Sequence, residues 1–98
     1  MSKPRQGDNF LNIAGAATTV VRTGRGNFKR LIINKTVNGG VITIYDNTAA
    51  SGTKIATITN PATVLQNWGF LEFGCKFDTG LTIVTSAADD ITVVYNDV

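Results

Sequence analysis

The sequence predicts an all-β protein: a single small sandwich (jelly-roll or immunoglobulin-like) or a barrel, of seven to eight antiparallel strands, with an N-terminal arm. Three observations lead there. Short runs rich in Val, Ile, Thr and Phe recur at about 8–12-residue spacing, as in sandwiches and barrels. Gly, Asn, Asp and Pro, the residues that turns favour, separate these runs. No window carries the 3.6-residue apolar period of a helix.

The elements follow in order. Residues 1–12, "MSKPRQGDNFLN", hold Pro4 and Gly7, show no period and are expected to form the arm; residues 13–98 form the sandwich. "ATTVVRT" (17–23) is β-branched and ends at Gly24-Arg25-Gly26. "NFKRLIINK" (27–35) follows, and strict alternation would place Phe28, Arg30 and Ile32 on one side, with Lys29, Leu31 and Ile33 on the other. Asn38-Gly39 is a strong hairpin signal. "VITIYD" (41–46) puts Val41, Thr43 and Tyr45 on one face and Ile42 and Ile44 on the other, and "TKIATIT" (53–59) pairs with it. Pro61 ends that run because it cannot donate to a ladder. "TVLQNW" (63–68) is a weaker strand candidate. In "GFLEFGCKFDT" (69–79), Leu71, Phe73, Cys75 and Phe77 share one face, with Glu72, Lys76 and Asp78 on the other. Gly80 turns the chain into "LTIVTS" (81–86), and "DITVVYN" (90–96) closes the domain.

Composition narrows the function. The chain of 98 residues is 43% hydrophobic and 16% charged, enough for one globular domain. It has no histidine, one cysteine and a single glutamate, Glu72. Ser-His-Asp and Cys-His arrangements are therefore impossible, and so is a zinc site of usual ligand type. An enzyme is not expected, nor is a cofactor or metal. One cysteine cannot make an intrachain disulfide. No apolar run approaches the ~18 residues of a membrane span, and the polar amino end lacks the apolar stretch of a signal peptide. A soluble protein made in a cytosol is expected, without a membrane partner.

Net charge is +2, but residues 1–35 carry +6 and residues 36–98 carry −4. A basic third before an acidic remainder suits nucleic-acid binding, or copies that meet positive patch to negative patch. The basic segment "RTGRGNFKR" (22–30) contains one aromatic, Phe28, where nucleic-acid stacking platforms offer several. A solvated loop or a charged protein contact is the favoured reading.

The loop "YDNTAASGTKI" (45–55) has the look of a chemical site and fails each test. Counted from Asp46 as a calcium loop, Thr48, Ala50, Ser51 and Thr57 fall where oxygen ligands, a glycine and a glutamate are required. As a phosphate loop, Gly52-Thr53-Lys54 has the wrong order and precedes a strand. It reads as a surface hairpin loop with Asp46 and Asn47 bonding their own backbone. Trp68 and Phe70 point away from the core if the register of Leu71 to Phe77 extends backward. Two readings then stand equal: an interface, or a bulge at Gly69 that swings Trp68 inward. A shelf for a sugar ring stands behind both. Cys75 reads as a small buried hydrophobe. Asp89-Asp90 reads as turn chemistry, with the two carboxylates pointing apart.

The order "ITIYDNTAASGTKIATI", then "GFLEFGCKFDTGLTIVTS", then "DITVVYND" resembles small β-rich proteins encoded among the virion genes of tailed bacteriophages. The resemblance covers residues 27–97, and "YDNTAASGTKI" and "TGLTIVTS" are its most specific pieces. It implies a non-enzymatic subunit of the virion, assembled in the bacterial host cytoplasm: a capsid decoration protein, or else a neck, tail or fibre accessory protein. A carbohydrate- or receptor-binding module is the further alternative. Implied partners are the major capsid protein or other virion proteins and further copies of the chain. The expected interface residues are Lys3, Arg5 and Phe10 of the arm, Arg22, Arg25 and Arg30 of the basic segment, and the aromatics Trp68 and Phe70.

Overall fold

The structure, a computed structural model, describes residues 9–59 and 69–96. Eight strands run through it: β1 (Asn9–Ala14), β2 (Ala17–Thr23), β3 (Gly26–Lys35), β4 (Val41–Asp46), β5 (Thr53–Thr59), β6 (Gly69–Phe77), β7 (Gly80–Thr85) and β8 (Asp90–Asn96). They form two antiparallel four-stranded sheets, a front sheet in the order β1-β8-β3-β6 and a back sheet in the order β2-β7-β4-β5. Four pairings join strands whose numbers sum to nine: β1 with β8, β2 with β7, β3 with β6 and β4 with β5. The chain thus follows one long hairpin, its tip at β4–β5, rolled so that successive rungs fall in alternate sheets. The pairings β3–β8 and β4–β7 close the roll.

Rolling lets each sheet bury one face against the other. Ile13, Phe28, Leu31, Ile33, Phe77, Ile91 and Val93 come from the front sheet, and Ile42, Ile44, Ile58, Leu81 and Ile83 from the back. The row Leu71, Phe73, Cys75 and Phe77 faces this core as its alternation predicts, and so do Ile42 and Ile44. Phe28 and Phe73 stack across β3 and β6, with ring centroids 4.5 Å apart and planes 20° from parallel.

Three expectations change. Residues 9–12 are not arm but the start of β1, whose inward Leu11 and Ile13 pair with β8 while Phe10 stands 72% exposed. An outward phenylalanine beside an inward leucine masks the alternation in the sequence. The β3 reading is also corrected. Phe28 pairs with Tyr95 and Arg30 with Val94, so Lys29 is an extra residue, and the inward set becomes Phe28, Leu31 and Ile33. On the other side Phe28 meets Cys75 and Arg30 meets Glu72, an irregularity that Gly74 permits with a φ of 58°. Finally, Asn38-Gly39 turns the chain, Gly39 having a φ of 73°, but makes no hairpin. β3 and β4 lie in different sheets, and this turn crosses between them. Pro61, "TVLQNW" with Trp68, and the residues Lys3 and Arg5 lie outside the described residues.

Close packing makes two positions sensitive. A Cβ on buried Gly26 would strike the Asn96 carbonyl oxygen and come within 2.8 Å of Phe77 Cζ. Gly26→Ala should destabilise by about 1–3 kcal/mol, as overpacking does. Phe28→Ala should lose ~3–5 kcal/mol through the cavity it leaves beside Phe73. Urea unfolding measures both, and an unchanged midpoint for Gly26→Ala would contradict the close backbone approach.

Candidate binding surfaces

The bulged strand β3 decides what the front sheet shows to solvent. With Phe28 turned inward, Arg30, Ile32 and Asn34 face out. Arg30 Nε donates to Glu72 Oε1 at 2.6 Å, joining β3 to β6 on the outer face. Arg30, Glu72, Ile32 and Phe70 line an open depression of about 350 Å³. Phe70 is 58% exposed there, as the backward extension of the β6 register predicts. The structure thus brings together Arg30 and Phe70 of the expected interface residues. Phe10 lies on the same face at the opposite edge, in a row that runs through Val94 and Arg30 to Glu72.

Beside this depression lies a polar cluster that sequence reasoning missed. Asn12 Nδ2 donates to Asp90 Oδ1 at 2.7 Å, and Asn34 Nδ2 donates to the same oxygen at 3.2 Å. Both amides also reach Thr92 Oγ1, at 3.3 and 3.1 Å. Three strands, β1, β3 and β8, supply these four side chains. The two amide hydrogen bonds, with a smaller contribution from Lys35, hold the Asp90 carboxyl below its ordinary value against a slight desolvation. Period two alone puts Asn34, Asp90 and Thr92 outward, but no short-range signal says that β1 will sit beside β8. Asp89, next in the chain, turns the other way: it is fully buried, and its Oδ1 accepts the Val37 N–H at 2.6 Å. The two carboxylates point apart as expected, and Asp89 holds the β3–β4 crossing.

The other end of the sandwich gathers Arg22, Arg25 and Lys76 beside Asp46 and Asp78. Arg22 Nε donates to the Arg25 carbonyl at 3.0 Å, drawing in the β2–β3 turn. Arg25, Gly26, Asn27, Lys76, Phe77 and Asp78 line a second depression of about 260 Å³. Lys76 pairs with Asp78 at 3.7 Å on the exposed surface. Chain entry is at the same end, because Asn9 pairs with Tyr95 and the neighbouring Asn96 pairs with Asn27.

The loop at residues 46–52 also lies here. As expected, Asn47 bonds its own loop, donating to the Ser51 carbonyl at 2.7 Å and accepting the Thr48 N–H at 2.8 Å. Asp46 does not. Its carboxylate accepts the N–H groups of Asp78 and Thr79, at 3.0 and 2.9 Å, with Gly80 at 3.4 Å, so it fills a backbone cup in the β6–β7 turn. Thr82 Oγ1 donates to the Asn47 carbonyl at 2.7 Å, and a Cβ on Gly80 would collide with Thr48 and the Arg22 carbonyl. Cys75 faces the core, and burial pushes its thiol up, which keeps it protonated. No group of three or more metal-ligating side chains occurs among the described residues. No helix among them is long and apolar enough to cross a membrane. Compared with protein-family models, curated proteins and solved structures, the chain matches none.

Desolvation acts to raise the Asp46 carboxyl, but the three N–H groups and Lys76 outweigh it and hold the group below its ordinary 3.8. The native state therefore binds this proton less tightly than the unfolded chain does. The resulting stability is complete above 3.8 and is lost as the pH falls through the lower native value. Asp46→Ala should cost ~1 kcal/mol near neutrality, the value of charge-assisted hydrogen bonds discounted for a solvent-washed site. Thermal unfolding of both proteins from pH 7 to pH 2 checks this. The wild-type advantage should shrink through the acid range, and a constant gap would refute the ionised contact.

Proposed function

We propose that this chain is a non-enzymatic structural protein of a virion: a capsid decoration protein that binds the head surface of a tailed bacteriophage in many copies. The observation that carries the reading is the strand order. We read sheets ordered 1-8-3-6 and 2-7-4-5, in which β1–β8, β2–β7, β3–β6 and β4–β5 pair, as a jelly roll, the eight-stranded double Greek key that viral capsid domains use. An immunoglobulin domain distributes its strands differently between the sheets. The resemblance of residues 27–97 to virion proteins of tailed phages points the same way.

The particle-facing surface in this reading is the end that holds Arg22 and Arg25. Arg22 and Arg25 lie at the β2–β3 turn, and residues 1–8 of the sequence carry Lys3 and Arg5 against Asp8. Arginines that meet acidic capsid surface speed docking and fix orientation. Many copies on one lattice also make modest single contacts sum to firm attachment. The major capsid protein is then the partner, and self-association accompanies it on the particle.

Co-sedimentation with phage heads that lack the protein tests this, with the solution mass of the free protein measured in parallel. Arg22→Glu with Arg25→Glu should weaken head binding at least about tenfold, or ~1.4 kcal/mol, and raised salt should weaken wild-type binding. Deleting residues 1–8, which leaves β1 whole, should weaken it further. Failure to sediment with heads, or binding indifferent to both changes, would sink the reading.

A further inference from the structure

We propose that the outer face of the front sheet binds a neutral oligosaccharide of glucose, galactose or N-acetylglucosamine type. One pyranose ring rests on Phe70 and Ile32, and the next presents its hydroxyls to Asn12, Asn34, Asp90 and Thr92. Nothing in the head-docking reading requires this site, and it lies on a different surface from the Arg22–Arg25 turn.

The register sets the layout. Asn12, Thr92, Ile32 and Phe70 occupy one row across β1, β8, β3 and β6. At ordinary strand spacing that row is about 14 Å long, the reach of a short oligosaccharide rather than one ring. Its halves differ in chemistry. The β6 half is the depression of about 350 Å³ with an exposed aromatic, Phe70, over apolar Ile32. A pyranose has a C–H face that suits such a surface and an equatorial rim of hydroxyls that suits planar polar groups. Arg30 and Glu72, bonded to each other on the rim of the depression, offer a donor and an acceptor side by side, as vicinal hydroxyls require.

The β1 half supplies hydroxyl recognition. Asp90 Oδ1 takes both asparagine amides, which leaves Oδ2 and the two amide oxygens as acceptors around the Thr92 hydroxyl. These four side chains are already held by one another, so little rotamer freedom remains to be lost when a ligand arrives. Other ligand classes fit less well. The cations of this face, Arg30, Lys35 and Lys76, stand beside Glu72, Asp90 and Asp78, so a phosphate backbone would meet a balanced surface. A divalent cation would find one carboxylate in the cluster where oxygen-rich sites gather several.

The test uses the full chain, labelled with ¹⁵N and titrated separately with maltotriose, cellotriose, chitotriose and lactose to about 10 mM, where a site of millimolar Kd is mostly filled. At least one sugar should move amide signals of β3, β6 and β8 on the outer face. Phe70→Ala, a change at an exposed position, should weaken that sugar about tenfold or more, and Asn34→Ala should weaken it several-fold. Arg25→Glu, at the β2–β3 turn, should leave it unchanged. The proposal is overturned if none of the four sugars perturbs the face. It is also overturned if the perturbation survives Phe70→Ala undiminished, or if signals of this face respond to protein concentration and not to sugar, which would assign the face to self-association. Loss of head binding with sugar binding intact would fall on the particle reading alone.

Discussion

The extra residue at Lys29, opposed by the kink at Gly74, is the constraint on which the rest of the structure depends. A strand in strict alternation would place Phe28 on the same side as Arg30 and Ile32. The core would then take either a charge or a strand without its largest side chain, and burial of an unpaired guanidinium costs several kcal/mol. The bulge resolves the conflict by shifting phase once. Phe28 enters the core and stacks on Phe73, while Leu31 and Ile33 follow it inward. The same shift turns Arg30 out to Glu72 and sets Ile32 beside Phe70. The core row and the Arg30–Ile32 part of the outer face are thus two results of one backbone irregularity, and a second shift at Asn34 sets Lys35 opposite Asp90.

Two aspartates hold the ends of the roll. Strands of a rolled hairpin must leave one sheet and join the other, and the crossing turns expose backbone groups that need partners. Asp46 supplies them at the β6–β7 turn by accepting consecutive N–H groups, so the β4–β5 tip is fastened to a turn about thirty residues away in the chain. Asp89 does the same at the opposite end for the β3–β4 crossing, from within the core. Both are short acids that reach backbone, and in the sequence both look like ordinary turn residues.

Much of this was readable in the residues. Seven of the eight strands follow from short runs of β-branched and aromatic residues bounded by turn residues, and a half-buried strand writes its two faces into alternate positions. The face of β6 with Leu71, Phe73, Cys75 and Phe77 and that of β4 with Ile42 and Ile44 came directly from that rule. What escaped did so for physical reasons. β1 carries an exposed Phe10 that mimics a buried residue, and a bulge has no residue signature at Lys29. Asn38-Gly39 encodes a positive φ but not whether the following strand returns to the same sheet. The site shows the same division: exposed Phe70 was expected from register, whereas the Asn12–Asp90–Asn34–Thr92 cluster was not.

By itself, then, the sequence determined the secondary structure class, the inward faces of β4 and β6 and an inventory without histidine. These are local properties, set by side-chain size, polarity and backbone preference over a few residues. Tertiary structure alone decided that β1 pairs with β8, that Asp46 clamps a distant turn, and that a polar cluster drawn from three strands lies beside an aromatic on the fourth. Those are pairings between residues up to about eighty positions apart. Long-range register is settled by burying one common core, and no short stretch of the chain contains that information.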